Sequence, residues 1–581
     1  MDAASVPSLR HTPPLHKRYP SASVQRKPIP HGLFLIRADN DSMQNTTNNN
    51  AVTFLLDGNE FFRHMHRSLN DLIANGVRGQ ANCYVRFAYW MIANTLTLPG
   101  YGGGGAGGPG PVVAASPFTT VLQNIANAGH HVQIIAWAGN PLMVNHDWLE
   151  TWVNQTNAAA AGAHAVGYTP IQLYQEEYGG DMKFCSNHQK IALISINGAK
   201  EALVGGFNIS GGYLSSHLHN NANYWHDTGV SVTGPAVDDI EGEWVRRWNK
   251  QQANGPAPNN AIGPAQGNAG NLTIRTCTNN IEATPPEADI RTQLCQRIRN
   301  ANNLIYLENY ALTDPFVVRE LARRVRGVGG PAPQVIAVVD NPTGITAGMK
   351  GMASYLMYYT FLELSLPNLA SIDIIDGIWS RLRRQPRTIA VAAMAGQQVT
   401  ANLGNPAQTA TFNPATGYRF NFTEGGTQRS IDFADIWNYT PGPNANVMYS
   451  LANGANTRKA YPHSKLAIFD DDYLVVGTSN WTYRSMQYDG EITLFIHDNA
   501  GAPNFVTATR DRLFQHWNQP NNPALWNATA VANQAGITGG AIVNQDPRIV
   551  PLGFDSFLHP SSQEAWTSGF TWLGYGSSAI F

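Results

Sequence analysis

One short unit occurs twice in this chain, and that repetition constrains the fold more than any other feature. The first copy reads Asn187-His188-Gln-Lys190-Ile-Ala-Leu-Ile, then Gly205-Gly206-Phe-Asn208. The second reads Pro462-His463-Ser-Lys465-Leu-Ala-Ile-Phe-Asp470, then Gly477-Thr478-Ser-Asn480. Each opens His-x-Lys, runs into an apolar strand and closes Gly-x-x-Asn at the end of a second strand. The copies lie 463 − 188 = 275 residues apart, so the chain reads as two similar halves.

The segments around the unit agree. In the first half Val52–Leu56, Cys83–Tyr89, His131–Trp137, Lys190–Ile196, Ala202–Phe207 and Val230–Val232 read as strands, and stretches near 61–72, 119–129 and 236–248 as helices. In the second, strands are expected at Leu304–Leu307, Gln334–Val339, 371–375, Lys465–Phe469, Tyr473–Val476 and Ile492–Ile496. Helices are expected at 314–327, 345–364 and 503–517. Strands alternating with helices predict an α/β fold. It comprises two similar α/β lobes, each a mixed sheet flanked by helices, related by a pseudo-twofold with the active site between them.

The expected divisions are a loosely ordered arm at 1–50, a first lobe at 51–250, a Gly/Pro/Asn/Ala linker at 251–271, a second lobe at 272–520 and a C-terminal extension at 521–581. Within the second lobe, 385–458 reads as a long loop insertion. The glycine-rich run at 102–111 reads as a flexible linker, because it lacks the Gly-Lys-Ser/Thr ending of a phosphate-binding loop.

Composition removes several classes. With 38 basic against 40 acidic residues the net charge is −2, whereas phosphate neutralisation along a nucleic acid needs a surplus of Lys and Arg. No nucleic-acid partner is therefore expected. No apolar stretch reaches the ~18 residues of a membrane span, and the N-terminus has no apolar run after its basic residues, so no signal peptide is read. The expected location is cytoplasmic, or exported by a signal-independent route. Cys83, Cys185, Cys277 and Cys295 lie far apart with no CxxC pair, which excludes a zinc ribbon or a disulfide-dense scaffold.

Residues i and i+2 of a strand share a face, so His188 projects with Lys190, and His463 with Lys465. Gly205-Gly206-x-Asn208 and Gly477-Thr478-x-Asn480 set a backbone amide and a side-chain amide beside them. Two such units facing each other suit a tetrahedral phosphate. Two Lys and two Asn bind its oxygens and stabilise transition-state charge, and two His stand on opposite sides for in-line displacement. Each half also carries a carboxylate at the start of its next strand, Asp227 and Glu491. A carboxylate there can orient an imidazole and stabilise its protonated form.

At these residues the sequence resembles the phospholipase D superfamily, whose signature is two copies of His-x-Lys-x4-Asp followed by Gly-[Ser/Gly]-x-Asn. The likeness spans most of 51–520. It includes Leu56-Asp-Gly-Asn-Glu and Ile305-Tyr-Leu-Glu308-Asn-Tyr310, and its spacing is similar to that of the monomeric, two-lobed phospholipases D. The resemblance implies a monomeric phosphodiesterase without metal or other cofactor. It would act on glycerophospholipids at a membrane surface or micelle, with water or an alcohol as acceptor. One His attacks phosphorus to form a phosphohistidine, while the other protonates the leaving alcohol and then deprotonates the acceptor. Position suggests His188 as nucleophile and His463 as acid, and the symmetry leaves the reverse open.

Asp470 stands in its motif place as a structural hydrogen-bonding residue, whereas position 195 is Ser, with Asn197 two residues on. The His-to-Gly interval is also 17 residues in the first half and 14 in the second, consistent with a longer first hairpin. His217, His219 and His226 cluster, but their spacing fits no common metal site. Two alternatives stay open. One is a nuclease or other phosphodiesterase of the same superfamily; the other is a catalytically silent binding protein with a degenerate first motif.

Overall fold

The computed structural model describes residues 45–552, except 341–363, 365–398, 433–447 and internal stretches of eight residues or fewer. The expected helix at 345–364 (Leu364 apart), the strand at 371–375 and most of the arm and of the C-terminal extension lie outside the described residues.

The first half contains β1 (Thr46–Leu56), α1 (Asp57–Asn75), β2 (Tyr84–Tyr89), α2 (Phe118–Asn127), β3 (His131–Trp137), α3 (Asp147–Gly162), β4 (Gln172–Glu176), β5 (Lys190–Ile196), β6 (Ala199–Gly205), β7 (Thr228–Thr233) and α4 (Ala236–Gln252). The second contains β8 (Leu272–Asn280), α5 (Asp289–Asn300), β9 (Leu304–Asn309), α6 (Pro315–Val325), β10 (Gln334–Val339), β11 (Met448–Ala452), β12 (Lys465–Phe469), β13 (Tyr473–Gly477), α7 (Tyr483–Gln487), β14 (Glu491–Asp498), α8 (Phe505–His516), α9 (Trp526–Thr538) and β15 (Arg548–Pro551).

Strand order shows the duplication. The first half runs β1-β7-β6-β5-β2-β3-β4, the second β8-β14-β13-β12-β9-β10-β11 with β15 added outside. Directions match as well. β2–β3 and β3–β4 are parallel, as are β9–β10 and β10–β11, and the other pairings within the two seven-strand runs are antiparallel. This is a mixed α/β architecture of two duplicated lobes. β1 pairs with β7 on one side and β8 on the other, joining the half-sheets edge to edge.

Local chemistry explains the elements. The apolar stripe Phe61, Phe62, Met65, Leu69 and Leu72 is fully buried along one side of α1, and Glu60 reaches back to accept the Leu56 N–H at 2.9 Å. Asp314 caps α6 by accepting from Phe316 and Val317 N–H, with Pro315 at the first helical position. Asn504 caps α8 through Thr507 N–H. The central strands are buried on both faces, which accounts for their near-continuous apolar runs. One core cluster extends from the first half-sheet through Trp244 and Trp248 to Trp517 and Trp526 in the second. Among the described residues no helix is long and apolar enough to cross a membrane.

Several segments differ from expectation; β4, β8, α5, α9 and β15 have no expected counterpart. The glycine run at 102–111 lies largely in an antiparallel hairpin of Tyr101–Gly105 with Gly108–Val113; glycine offers no side-chain alternation to read, yet its backbone can still form a ladder. Within 385–458, the strands Val399–Asn405, Gln408–Asn413, Gly417–Glu424 and Thr427–Asp432 form an antiparallel sheet, and β11 belongs to the main sheet. Thr, Asn and Ala there obscure the apolar–polar alternation that marks a strand. α3 has no counterpart among the expected helices, although Ala158–Ala161 favours helix.

The hairpins explain the missing Asp of the first motif. β5 has seven residues and β12 five, so the turn sits two residues later in the first half. Asn197 and Asp470 occupy the same left-handed turn position, with φ of 53° and 52°. Asp470 accepts the N–H groups of Asn302, Asn303 and Leu304 at 2.7, 2.7 and 3.0 Å, where the chain enters β9. Asn197 accepts from Val77 N–H at 2.8 Å and donates to Asn75 O at 2.9 Å, in the corresponding connection between α1 and β2. Ser195 is buried within β5 and donates to Asn82 O at 2.7 Å. The motif's tie is therefore moved to Asn197. Asp470→Ala is expected to cost about 2 kcal/mol and Asn197→Ala about 1 kcal/mol in urea unfolding. Ser195→Asp buries a charge facing a carbonyl and should cost ~3 kcal/mol or more; equal or greater stability of that variant would contradict the assignment.

Candidate active site

Lys190 and Lys465 begin β5 and β12, the two strands that occupy the same place in the duplicated order. The segment just before each is strapped to the opposite lobe. His188 N–H donates to Gly490 O at 2.9 Å and Gly490 N–H to Ser186 O at 2.9 Å. In the mirror arrangement His463 N–H donates to His226 O at 2.7 Å, and Trp225-His226 pairs in parallel with Tyr461-Pro462. Each histidine thus meets the carboxylate of the other lobe. His188 Nδ1 lies 2.8 Å from Glu491 Oε1, and His463 Nδ1 2.6 Å from Asp227 Oδ2. With Nδ1–H donating to the carboxylate, Nε2 keeps its lone pair.

The remaining carboxylate oxygens are also held. Asp227 Oδ1 accepts from Thr228 N–H at 2.9 Å, and Glu491 Oε2 from Thr478 Oγ1 at 2.6 Å. This pairing accounts for the difference between Gly206 and Thr478. A Cβ at 206 would lie 2.0 Å from Asp227 Oδ1, so the shorter acid needs glycine there, while the longer Glu491 leaves room for a hydroxyl that binds it.

Other motif positions differ from their expected service to a ligand. A Cβ on Gly205 would lie 2.6 Å from Gly229 Cα, and one on Gly477 2.4 Å from Ile492 O. These glycines permit close approach of β6 to β7 and β13 to β14. The Gly206 and Thr478 amides donate to Thr228 O and Ile492 O, so the ladder takes the amides expected to face a phosphate. Asn208 accepts from Met91 N–H at 3.2 Å and donates to Tyr213 Oη at 2.7 Å, which braces Tyr213. Asn480 differs: its Oδ1 is buried with no hydrogen-bond partner among the described residues.

Burial dominates the electrostatics. Both lysines are buried, and each donates from Nζ to the carbonyl of its own histidine. Burial draws Lys190 down to about 7 and Lys465 to about 8, against the pull of Glu491 and Asp227. Burial lifts Asp227 to about 7 and Glu491 to about 8, against the pull of the lysines. Burial and the neighbouring ammonium groups hold both imidazoles well below the usual histidine range. The centre is a buried cluster of two imidazoles, two lysines and two carboxyl groups, drawn from both lobes. An anion entering it would raise the lysine values and the readiness of an imidazole to take a proton.

Several residues escape a reading of the sequence alone. Asp489 accepts Ser186 N–H at 2.7 Å and forms an ion pair with Arg484, whose Nε lies 2.8 Å away, fixing the chain beside His188; it sits within the Tyr488-Asp-Gly-Glu segment that contains Glu491. Trp90 stands 5.8 Å from His188 between ring centroids, and Trp225, Tyr213 and Tyr461 stand 5.0, 5.4 and 5.9 Å from His463. No pattern in the chain marks these aromatics, because four separate segments supply them.

Comparison with known proteins finds likenesses to one superfamily. The family model described as "Cardiolipin synthase, PLD-like domain" matches residues 432–517. Phospholipase D alpha 1 of Oryza sativa subsp. japonica is 24% identical over 311 residues, covering 46% of this chain and 36% of that protein. A cardiolipin synthase of Clostridium perfringens is 35% identical over 85 residues, covering 12% of this chain and 17% of that one. The matches thus span about a third or less of the curated relatives. The solved phosphatidylserine synthase of Haemophilus influenzae Rd KW20 covers 85% of this chain and 95% of its own, at 11% identity and a TM-score of 0.41, a likeness too slight to carry an argument.

Sulfate keeps its charge across neutral pH, so it reports the protein's titration alone. Its affinity is expected to fall as pH rises through about 7 to 8, where Lys190 and Lys465 lose their protons. A lysine lowered in the folded protein is charged below that range and neutral above it. Calorimetric titration on wild type and Lys190→Met checks this: the variant should bind ~10-fold more weakly. Affinity that rises with pH would contradict the assignment.

Proposed function

The chain belongs to the phospholipase D superfamily, and from that premise we propose that it is a phosphodiesterase and phosphatidyltransferase acting on glycerophospholipids through a phosphohistidine. The observation that carries this reading is the reciprocal pair of imidazole–carboxylate contacts, His188 with Glu491 and His463 with Asp227. In-line displacement needs a nucleophile on one side of phosphorus and an acid on the other. Two imidazoles, each oriented through Nδ1 and each presenting Nε2, supply both.

In the proposed cycle His188 Nε2 attacks phosphorus and a P–N bond forms as the P–O bond to the leaving alcohol breaks. His463, protonated once the anionic substrate is bound, gives its proton to that alcohol. It then takes a proton from water or a second alcohol, which attacks phosphorus and releases His188. Lys190 and Lys465 balance charge on the non-bridging oxygens. Glu491 and Asp227 hold the imidazoles in their reactive tautomer. Asp470 and Asn197 keep the two hairpins in place. The aromatic wall of Trp90, Trp225 and Tyr461 suits a lipid head group, including a quaternary ammonium bound by cation–π contact. The net charge of −2 favours lipid over nucleic acid as the phosphodiester.

The test uses mixed phospholipid vesicles with ethanol present, following head-group release and phosphatidylethanol. Wild type should give both products. His188→Ala and His463→Ala should each lose ~10³-fold or more in rate, and Asp227→Asn and Glu491→Gln ~10²-fold. Release without phosphatidylethanol would remove the transfer step. No release from folded wild type would sink the lipid assignment and leave another phosphodiester as the substrate.

A further inference from the structure

Beside the site, and outside the mechanism, lies a second buried cluster. Asp57 at the start of α1, His219 and His226 from the segment between β6 and β7, and His516 at the end of α8 bring ligand atoms within 4.8 Å of one another. Three of these atoms form a tight triangle. His219 Nε2 is 3.2 Å from His516 Nε2, and Asp57 Oδ2 is 3.4 Å from His219 Nε2 and 3.5 Å from His516 Nε2. A tetrahedral ion with metal–ligand bonds of ~2.0–2.1 Å sets its ligand atoms ~3.3–3.4 Å apart. The triangle therefore has the dimensions of one face of such a tetrahedron.

A second observation points the same way. Asp57 Oδ2 is buried and has no hydrogen-bond partner among the described residues, on a side chain only 1% exposed. Hydrogen bonding between the two imidazoles alone would leave this carboxylate oxygen unsatisfied, which is costly for a buried charge. The surroundings are those of a supported ligand set. His219 Nδ1 lies 2.9 Å from Ser215 Oγ, which fixes the ring with Nε2 inward. Asp57 Oδ1 lies 2.9 Å from His226 Nδ1, and the other nitrogen of His226 lies 2.7 Å from Glu308 Oε2. Glu308 Oε1 in turn accepts from Trp517 Nε1 at 2.8 Å and from Tyr306 Oη.

We propose that Asp57, His219 and His516 bind a divalent transition-metal ion, zinc by the chemistry of two imidazoles and one carboxylate, as a structural clasp between the lobes. Asp57 and His219 come from the first lobe and His516 from the second. The ion joins them beside His226, whose main-chain oxygen accepts the His463 N–H and whose neighbour is Asp227. The clasp is distinct from the phosphodiester site, and its test does not depend on that reading.

The test is metal content of the full chain, measured by inductively coupled plasma mass spectrometry after incubation with Zn²⁺ and removal of free ion. About one zinc per chain is expected, with chelation lowering the melting temperature and added Zn²⁺ restoring it. His219→Ala and His516→Ala should lose the ion, Ser215→Ala should weaken it ~10-fold, and His217→Ala should keep it. If the first two variants fail to fold, Co²⁺ substitution of wild type carries the test. Tetrahedral nitrogen–oxygen bands support the site, whereas thiolate charge-transfer bands would place the metal on cysteine and overturn it. Wild type that takes up neither Zn²⁺ nor Co²⁺, or a folded His516→Ala that retains full zinc, overturns it as well.

Discussion

The structure depends on an exchange of acids between two halves. Each imidazole is oriented by a carboxylate that the other lobe supplies, so neither lobe holds a complete centre. The contact is buried on both sides, a setting in which removing one hydrogen-bonding partner leaves the other unsatisfied and costs far more than at an exposed pair. Two lysines sit among the two acids, and all four are held away from their ordinary protonation behaviour by loss of water. The balance survives only if both lobes keep their register. A small slip between them would leave a buried charge unpaired.

The rest of the fold serves that register. The same strand order occurs in both halves, and β1 joins them by pairing with both β7 and β8. At the centre, main-chain bonds tie residues 186–188 to 490 and residues 461–463 to 225–226. These bonds set the histidines before any side chain is placed. The motif glycines also hold the register, since strands β6 and β13 run so close to their neighbours that no side chain fits at 205 or 477. Further out, the buried chain of hydrogen bonds from Asp57 through His226 and Glu308 to Trp517 again crosses from one lobe to the other.

Much of this is legible in the chain. The repeated unit discloses the duplication, and apolar runs locate the strands that form the core of both half-sheets. The interval of 17 against 14 residues already hints at a longer hairpin, and Asn197 is visible as a neighbour of the missing Asp. Its role is not visible, because that rests on a left-handed turn shared with Asp470 and on partners more than a hundred residues away. The crossing of acids is hidden for the same reason. Sequence shows Asp227 downstream of His188 and Glu491 downstream of His463, and nothing local says that each belongs to the other. β4, β8, β11 and β15 escape notice because short or Thr- and Asn-rich runs look like loop until a neighbouring strand accepts them.

The halves are duplicated but not identical, and the differences concentrate at the centre. One acid is Asp, braced by a backbone amide over a glycine; the other is Glu, braced by a threonine hydroxyl. One motif asparagine is engaged by Met91 and Tyr213, while the other keeps a buried oxygen without a partner among the described residues. One histidine faces Trp90, and the other is enclosed by three aromatic rings. The proposed displacement at phosphorus would ask different things of its two sides: one group must attack and later leave, the other must give a proton and later take one. A perfectly symmetric pocket would present equal surroundings to both roles. Duplication supplies two oriented imidazoles, and the small departures from symmetry give the two rings different walls, acids and hydrogen bonds while the shared main-chain frame keeps both in register.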